Sequence, residues 1–244
     1  MTKLRDLIRK RRVSKYIRNN GWCFNYCGVE FILPPNTEIE IANALIKNKY
    51  ETEEVHMISS YIPPNNSVIE LGGSFGIVSG LISKKLNNGA EHIIVEANPL
   101  LREVCLANAK AGSSKTNIKI VQKAICYNEK MVEFNLANNP HSSSLFDLPV
   151  RKVQKTIKIP SITLNEIYQS LENPIDYTLV CDIEGSEEDM VINEMDTLAK
   201  AKTIIMELHP NLLQSGQSQI PIKMKNKGFI IRKQIGTVFT WTRD

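Results

Sequence analysis

From residue 67 onward, short unbroken apolar runs alternate with stretches whose apolar residues recur every three or four positions. The runs at 68–71, 92–96, 118–124, 177–183 and 203–208 have the length of buried strands. The stretches between them, to residue 86 and over 100–111, 187–199 and 219–227, have helical spacing. Strands that alternate with helices predict an α/β fold built on a mostly parallel sheet. The last two runs, 229–234 and 238–242, are separated only by a turn at Gly236. So short a connection allows only antiparallel pairing, which sets the final strand against the rest. Segments 131–136 and 153–159 read as added extended pieces around a polar loop, Asn138-Asn-Pro-His-Ser-Ser-Ser144. Thr163-Leu-Asn-Glu166 has the capping-box pattern of a helix start. A seven-stranded, mostly parallel sheet closed by an antiparallel hairpin is therefore expected.

The first sixty residues follow another pattern. Leu4, Leu7, Ile8, Val13, Tyr16 and Ile17 lie roughly at helical spacing among basic residues, Trp22 to Leu33 reads as a hairpin turning near Gly28, and 38–62 reads as one helical stretch ended by Pro63-Pro64. This divides the chain into an appendage, 1–62, able to cover the mouth of a site, and a main domain, 63–244.

Charge sharpens that division. Residues 1–20 hold eight Lys or Arg against Asp6 alone, a net of +7, while the remainder holds 22 basic against 25 acidic residues, a net of −3. The basic segment is expected to be a solvated helix or one that touches an anionic surface, nucleic acid or lipid. At 244 residues with 42% hydrophobic content the chain can bury a full core. No apolar run approaches the roughly 20 residues that span a bilayer, and the amino terminus lacks a signal-peptide core, so a cytoplasmic protein is expected. Cys23, Cys27, Cys105, Cys126 and Cys181 form an odd, scattered set that suits a reducing compartment, and no second pair completes a zinc site around Cys23 and Cys27.

Candidate chemistry begins at Val68-Ile-Glu-Leu-Gly-Gly-Ser-Phe-Gly76, where an apolar run ends in an acid and passes into a glycine-rich turn. Glu70 closes the strand in this reading, and Gly72, Gly73 and Gly76 let the backbone turn tightly beside a ligand. A dinucleotide fingerprint would place small residues where this chain has Ser74 and Ile77, so a pyrophosphate fits poorly. S-adenosylmethionine carries no phosphate, and its positive amino and sulfonium end suits Glu70. Ile93-Ile-Val-Glu96 is a second apolar run ending in an acid, placed to accept both hydroxyls of a ribose.

The order of motifs resembles the FkbM family of S-adenosylmethionine-dependent methyltransferases over most of the chain, and with the seven-stranded pattern it implies the Rossmann-like α/β fold of class I methyltransferases. Glu70-Leu-Gly-Gly-Ser-Phe-Gly76 resembles its first motif and Val95-Glu-Ala-Asn-Pro99 its second. Lys123-Ala-Ile125 resembles its adenine-side segment and Ser161-Ile-Thr-Leu164 its Thr-Leu before a helix. Val180-Cys-Asp-Ile-Glu-Gly-Ser-Glu187 is very like the family's Asp-x-Glu-Gly-x-Glu signature, and Glu207-Leu-His-Pro210 resembles the pattern after the fifth strand. The first motif departs from the family at Glu70, where Asp is usual, and at Ser74, where Asn is usual. The resemblance implies a donor site formed by Glu70, Gly72, Gly73, Ser74, Phe75, Gly76, Glu96, Ala97, Ala124, Ile125 and Asp182. It also implies transfer to a hydroxyl of a sugar, glycan or small natural product.

Methyl transfer to a hydroxyl requires alignment and removal of one proton. Asp182, at the carboxyl end of the fourth core strand, is the first candidate to orient the acceptor or bind a cation. His209 is the candidate general base, with His141 of the polar loop second. Glu184, Glu187 and Glu207 crowd the same edge and with Asp182 could hold Mg²⁺. Acids in the first turn of a helix are favourable without metal, so Mg²⁺ is not favoured and no metal site is assigned.

Two other functions compete. The basic segment 1–20 motivates an RNA methyltransferase, against which stands the lack of an Asn/Asp-Pro-Pro-Tyr/Phe motif after the fourth strand. A non-catalytic binding module on the same fold is weighed down by the presence of Glu70, Glu96, Asp182 and Glu207. A homo-oligomer stays open.

Overall fold

The apolar runs pair into one twisted sheet with helices on both faces. The computed structural model describes residues 2–35, 37–137, 153–172, 174, 176–210 and 217–243. The chain enters through α1 (Thr2–Asn20) and a hairpin of β1 (Cys23–Tyr26) and β2 (Val29–Ile32), followed by α2 (Ile39–Ile46) and α3 (Thr52–Tyr61). The 38–62 stretch is therefore two helices rather than one. Asn48 and Glu51 between them take left-handed backbone, with φ of 53° and 40°, which no continuous helix accommodates.

The core alternation follows as β3 (Val68–Leu71), α4 (Ile77–Lys85), β4 (Glu91–Val95), α5 (Arg102–Gly112) and β5 (Asn117–Val121). Short β6 (Ala124–Ile125) then leads to β7 (Met131–Ala137) and β8 (Val153–Ile162). After α6 (Leu164–Gln169) come β9 (Tyr177–Cys181), α7 (Glu187–Asn193), α8 (Met195–Leu198), β10 (Ala201–Glu207), α9 (Ile220–Asn226), β11 (Ile230–Ile235) and β12 (Val238–Thr242). The helix expected over 187–199 is broken at Glu194, whose carboxylate accepts hydrogen bonds from Asn165 N–H and the Thr197 hydroxyl. The capping box at Thr163 and Glu166 is present in both directions.

The main sheet has the order β11-β12-β10-β9-β3-β4-β5. Strands β10, β9, β3, β4 and β5 run parallel, and β12 is antiparallel to both of its neighbours, as the turn at Gly236 requires. Strand residues alternate between two buried layers. Ile69, Leu71, Leu179 and Ile204 pack under α6 to α9 with Trp241 and Met190, while Val68, Val180 and Ile205 pack against Met57 and Ile58 of α3 and Ile82 of α4.

Segments 131–136 and 153–159, expected only as extended pieces, form a separate sheet of order β6-β8-β7. The polar loop expected over 138–144 lies outside the described residues.

The appendage is tied to the main sheet by a shared core. Phe24, Tyr26, Phe31 and Leu45 pack with Phe75, Ile77 and Leu81 at the start of α4, and Tyr16 of α1 stacks on Phe24 at 5.1 Å. Asn108 of α5 accepts a hydrogen bond from Ile32 N–H and donates to the Ile32 and Phe75 carbonyls. No helix of the described residues is long and apolar enough to cross a membrane.

Candidate active site

Parallel strands bring their carboxyl ends to one edge. Leu71 is in register with Val95 on one side and Cys181 on the other, so the turns after β3, β4 and β9 stand side by side. Gly72 N–H donates to the Val95 carbonyl at 2.9 Å and Asp182 N–H to the Leu71 carbonyl at 2.9 Å. Gly72 has φ of 94°, and a Cβ placed on it would sit 1.8 Å from the Asp182 carbonyl oxygen. Here the need for glycine comes from a neighbouring strand turn as well as from the backbone angle.

Above this edge lies a cleft enclosing about 1020 Å³, part of it open to solvent. Gly72, Gly73, Ser74, Glu96, Ala97, Ala124, Ile125 and Asp182, all expected at the donor site, line it together. Glu96, one residue past the end of β4, is 6% exposed and accepts hydrogen bonds at 2.6 Å from both Ser74 N–H and Asn98 N–H. Burial raises its carboxyl to about 7 despite these two donors, which act the other way. Ser74 meets Glu96 from a left-handed backbone, φ 46°, a conformation that asparagine tolerates better than serine.

Three expected donor residues lie elsewhere. Glu70 is the third of four residues in β3, not its end, so its side chain points under α4 and is 1% exposed. Its carboxylate accepts from the Ser79 hydroxyl at 2.8 Å and pairs with His92 Nε2 at 2.8 Å, and His92 Nδ1 lies 3.2 Å from the Ser83 hydroxyl. Phe75 is a core residue of the appendage contact. Gly76 packs on α5, where a Cβ would meet the Cys105 carbonyl at 2.4 Å.

The other end of the cleft is acidic. Asp182 follows β9, and its Oδ1, shielded from solvent, has no hydrogen-bond partner among the described residues. His209 Nε2 lies 3.6 Å from that atom and 3.8 Å from Glu184, while Nδ1 pairs with Glu187 at 2.9 Å. Burial opposes a charge on His209. The hydrogen bond to Glu187 and the charges of Glu187, Asp182 and Glu184 outweigh it, pushing the imidazole up to about 9. His209 thus stands where expected but holds its proton at neutral pH, the opposite of what a general base requires. Asp182 is pushed well above the usual carboxylate range, first by burial, against His209, with Glu207, Glu184 and Glu187 adding to the rise. His141, the second expected base, lies outside the described residues.

Asp182, Glu187 and His209 each offer a ligand atom within 4.8 Å of the others. Glu187 already takes backbone N–H groups of Ile183 and Gly185 besides His209, so a metal ion would compete with these donors and with the imidazole proton.

The appendage supplies residues that the sequence did not mark. Tyr50, Glu51 and Glu54 line the cleft, placed there by α3 and by Tyr26 of the hairpin, whose hydroxyl donates to the Tyr50 carbonyl at 2.5 Å. A helical acid beside Glu53 looks solvated in sequence. Only the spacing of Glu54 to Met57 and Ile58, both buried, carried a signal. Phe134, from the separate sheet, closes the cleft near Ala124.

The model of the FkbM methyltransferase domain matches residues 70–231, 162 of the 244 residues. The chain belongs to the FkbM methyltransferase family. FkbM proteins are S-adenosylmethionine-dependent, and the cleft fits that donor: among its described lining residues Glu51, Glu54, Glu96, Asp182 and Glu184 face a single basic one, Lys123, which suits a cationic ligand and not a pyrophosphate. A search of curated proteins finds no sequence match to this FkbM protein. Similar solved structures include a human methyltransferase 10 domain containing protein, at 14% identity, TM-score 0.49, covering 99% of this chain and 97% of that one. The METTL16 methyltransferase domain is similar at 13% identity, TM-score 0.48, covering 96% and 79%. Precorrin-6y C5,15-methyltransferase from Geobacter metallireducens is similar at 11% identity, TM-score 0.46, covering 78% and 87%.

Proposed function

We propose that this FkbM protein is an O-methyltransferase acting on a hydroxyl of a sugar, glycan or similar polar acceptor. The observation that carries it is the placement of Asp182, which lines the cleft one residue past β9 with a shielded Oδ1 that accepts no hydrogen bond from any described residue and lies 3.6 Å from His209 Nε2. A hydroxyl loses its proton only to a base near at hand, and an unengaged carboxylate at the cleft wall is placed to take it.

When bound, S-adenosylmethionine supplies a methyl carbon made electrophilic by its sulfonium. Glu96 accepts the ribose hydroxyls, the turn at Gly72 to Ser74 leaves backbone instead of side chain on the cleft floor, and Ala124 and Ile125 border the adenine. Asp182 takes the acceptor proton at its carboxylate, and His209, tied to Glu187, holds Asp182 in place and carries the opposite charge. A groove beside the cleft shares Ile125 and Ser186 with it and is lined by Asn128, Glu129, Glu133, Lys158 and Asp189. The carboxylates accept, Lys158 donates and Asn128 does both, a mixture that suits an acceptor rich in hydroxyls.

Transfer of labelled methyl from the donor to a panel of saccharides, nucleosides and RNA tests this. Label in a saccharide or other hydroxyl acceptor, abolished in Asp182→Asn while product binding persists, is expected; label only in RNA bases or amines overturns it. RNA is the second reading because Arg5, Lys10, Arg11, Lys15 and Arg18 of α1 are exposed, whereas Arg9 and Arg12 are held by Glu40 and Asn43.

A further inference from the structure

Glu54 is an acid at a core-facing position. Its helix α3 turns Glu53 outward and buries Glu54 with Met57 and Ile58, at spacings of three and four residues. Glu54 is 6% exposed, lines the cleft, and receives no hydrogen bond from any described residue. Burial and then Asp182, Glu51, Glu70 and Glu207, acids all, push its carboxyl well above the usual range. An unpartnered carboxylate among other carboxylates is destabilising in the resting protein, and a cation is the partner that such a position lacks. Lys123, the basic residue of the cleft lining, sits beside Ala124 and Ile125 at the opposite, adenine-side end.

We infer that Glu54, supplied by the appendage, binds the positively charged end of the methyl donor and makes the cleft prefer the methylated donor over its demethylated product. The inference rests on the cleft being the donor site. Glu96 fixes the ribose at one end, so the amino-acid part extends toward Asp182 and Glu54. The donor there carries two positive groups, ammonium and sulfonium. Transfer of the methyl leaves a neutral thioether, so the attraction of Glu54 for the ligand weakens as the reaction completes, which favours release.

Three ligands grade this charge: S-adenosylmethionine has both positive groups, S-adenosylhomocysteine the ammonium alone, and 5′-methylthioadenosine neither. Calorimetric titration of the intact wild-type protein and of Glu54→Gln, with melting curves to verify folding, compares them. The variant should lose about tenfold in affinity for S-adenosylmethionine, about threefold for S-adenosylhomocysteine and nothing for 5′-methylthioadenosine. Glu54→Asp, which keeps the charge on a shorter arm, should lose less in the same order and serves if the Gln variant does not fold. Equal losses for all three ligands, the mark of a merely structural role, or no loss for S-adenosylmethionine would overturn the inference. Wild-type protein that binds none of the three would remove the donor site itself, a different failure from a wild type that binds and a variant that is unaffected.

Discussion

Glu70 and Glu96 belong to neighbouring strand-and-turn segments, and both end an apolar run in the sequence, yet they sit in different regions of the molecule. Glu96 lies one residue beyond β4 and faces the cleft, whereas Glu70 lies one residue inside β3 and faces Ser79 and His92 under α4. Two positions relative to the strand end separate them, so alternation leaves both acids on the same face of the sheet; Glu70, inside β3, is covered by α4, whereas Glu96, past the end of β4, reaches the cleft. The acid at the end of an apolar run is thus informative only with the strand end known to the residue.

Substitutions break this comparison in order of severity. Gly72→Val places a side chain 1.8 Å from the Asp182 carbonyl at its Cβ alone, so it should cost about 4 kcal/mol or more and appear as loss of a cooperative melt. Glu70→Ala strips the partner from buried His92 and Ser79 and should destabilise by about 3 kcal/mol in denaturant titration, while the folded fraction still binds product. Glu96→Gln keeps the volume and should change stability by no more than about 1 kcal/mol. A melt in which Glu96→Gln is the more damaging of the two would reverse their assignments.

The pH response sharpens the same contrast. In the proposed donor site a ribose diol would donate to the ionised carboxylate of Glu96, and burial raises that group to about 7, so protonation would compete with the ligand. Affinity for S-adenosylhomocysteine should rise about tenfold between pH 6 and 8, and Glu96→Gln should flatten this response. In stability the sign is opposite. A carboxyl raised on folding binds its proton more tightly in the folded state, so its contribution falls as pH rises from about 4.5 to about 7.

The smallest effect belongs to α1. Replacing Lys10, Arg11, Lys15 and Arg18 by Gln should leave product affinity within about twofold, since these side chains are exposed on a helix outside the cleft lining. Any salt-sensitive retention of RNA by the wild type should vanish in that variant. Deletion of the helix is a poorer probe, because Val13 is buried and Tyr16 stacks on Phe24.

The alternation of strands and helices, the hairpin at Gly236 and the capping box at Thr163 were legible in the sequence because each depends on local spacing. The break at 47–51 was not, since Glu51 adopts left-handed backbone that its residue type does not announce and Asn48 alone is a weak signal. Nor was the separate β6-β8-β7 sheet, because extended segments do not name their partners. Glu96, Ser74 and Asp182 follow strand ends and line one cleft, a placement that the apolar runs made legible. Glu54 reaches the cleft only through the packing of α3 over the sheet, and the protonation of His209 depends on three acids from a different strand-to-helix turn. Tertiary placement, not residue type, decides both.

The most direct measurement is calorimetric titration of the intact protein with S-adenosylhomocysteine at pH 8, wild type beside Glu96→Gln. Removing the carboxylate from the proposed ribose contact should weaken binding by about 2 kcal/mol, some thirtyfold, with the melting temperature shifted by no more than about 4 °C. Wild-type protein that binds no S-adenosylhomocysteine, or a Glu96→Gln variant that binds it as tightly as the wild type, would contradict the assignment of this cleft as the seat of the methyl donor.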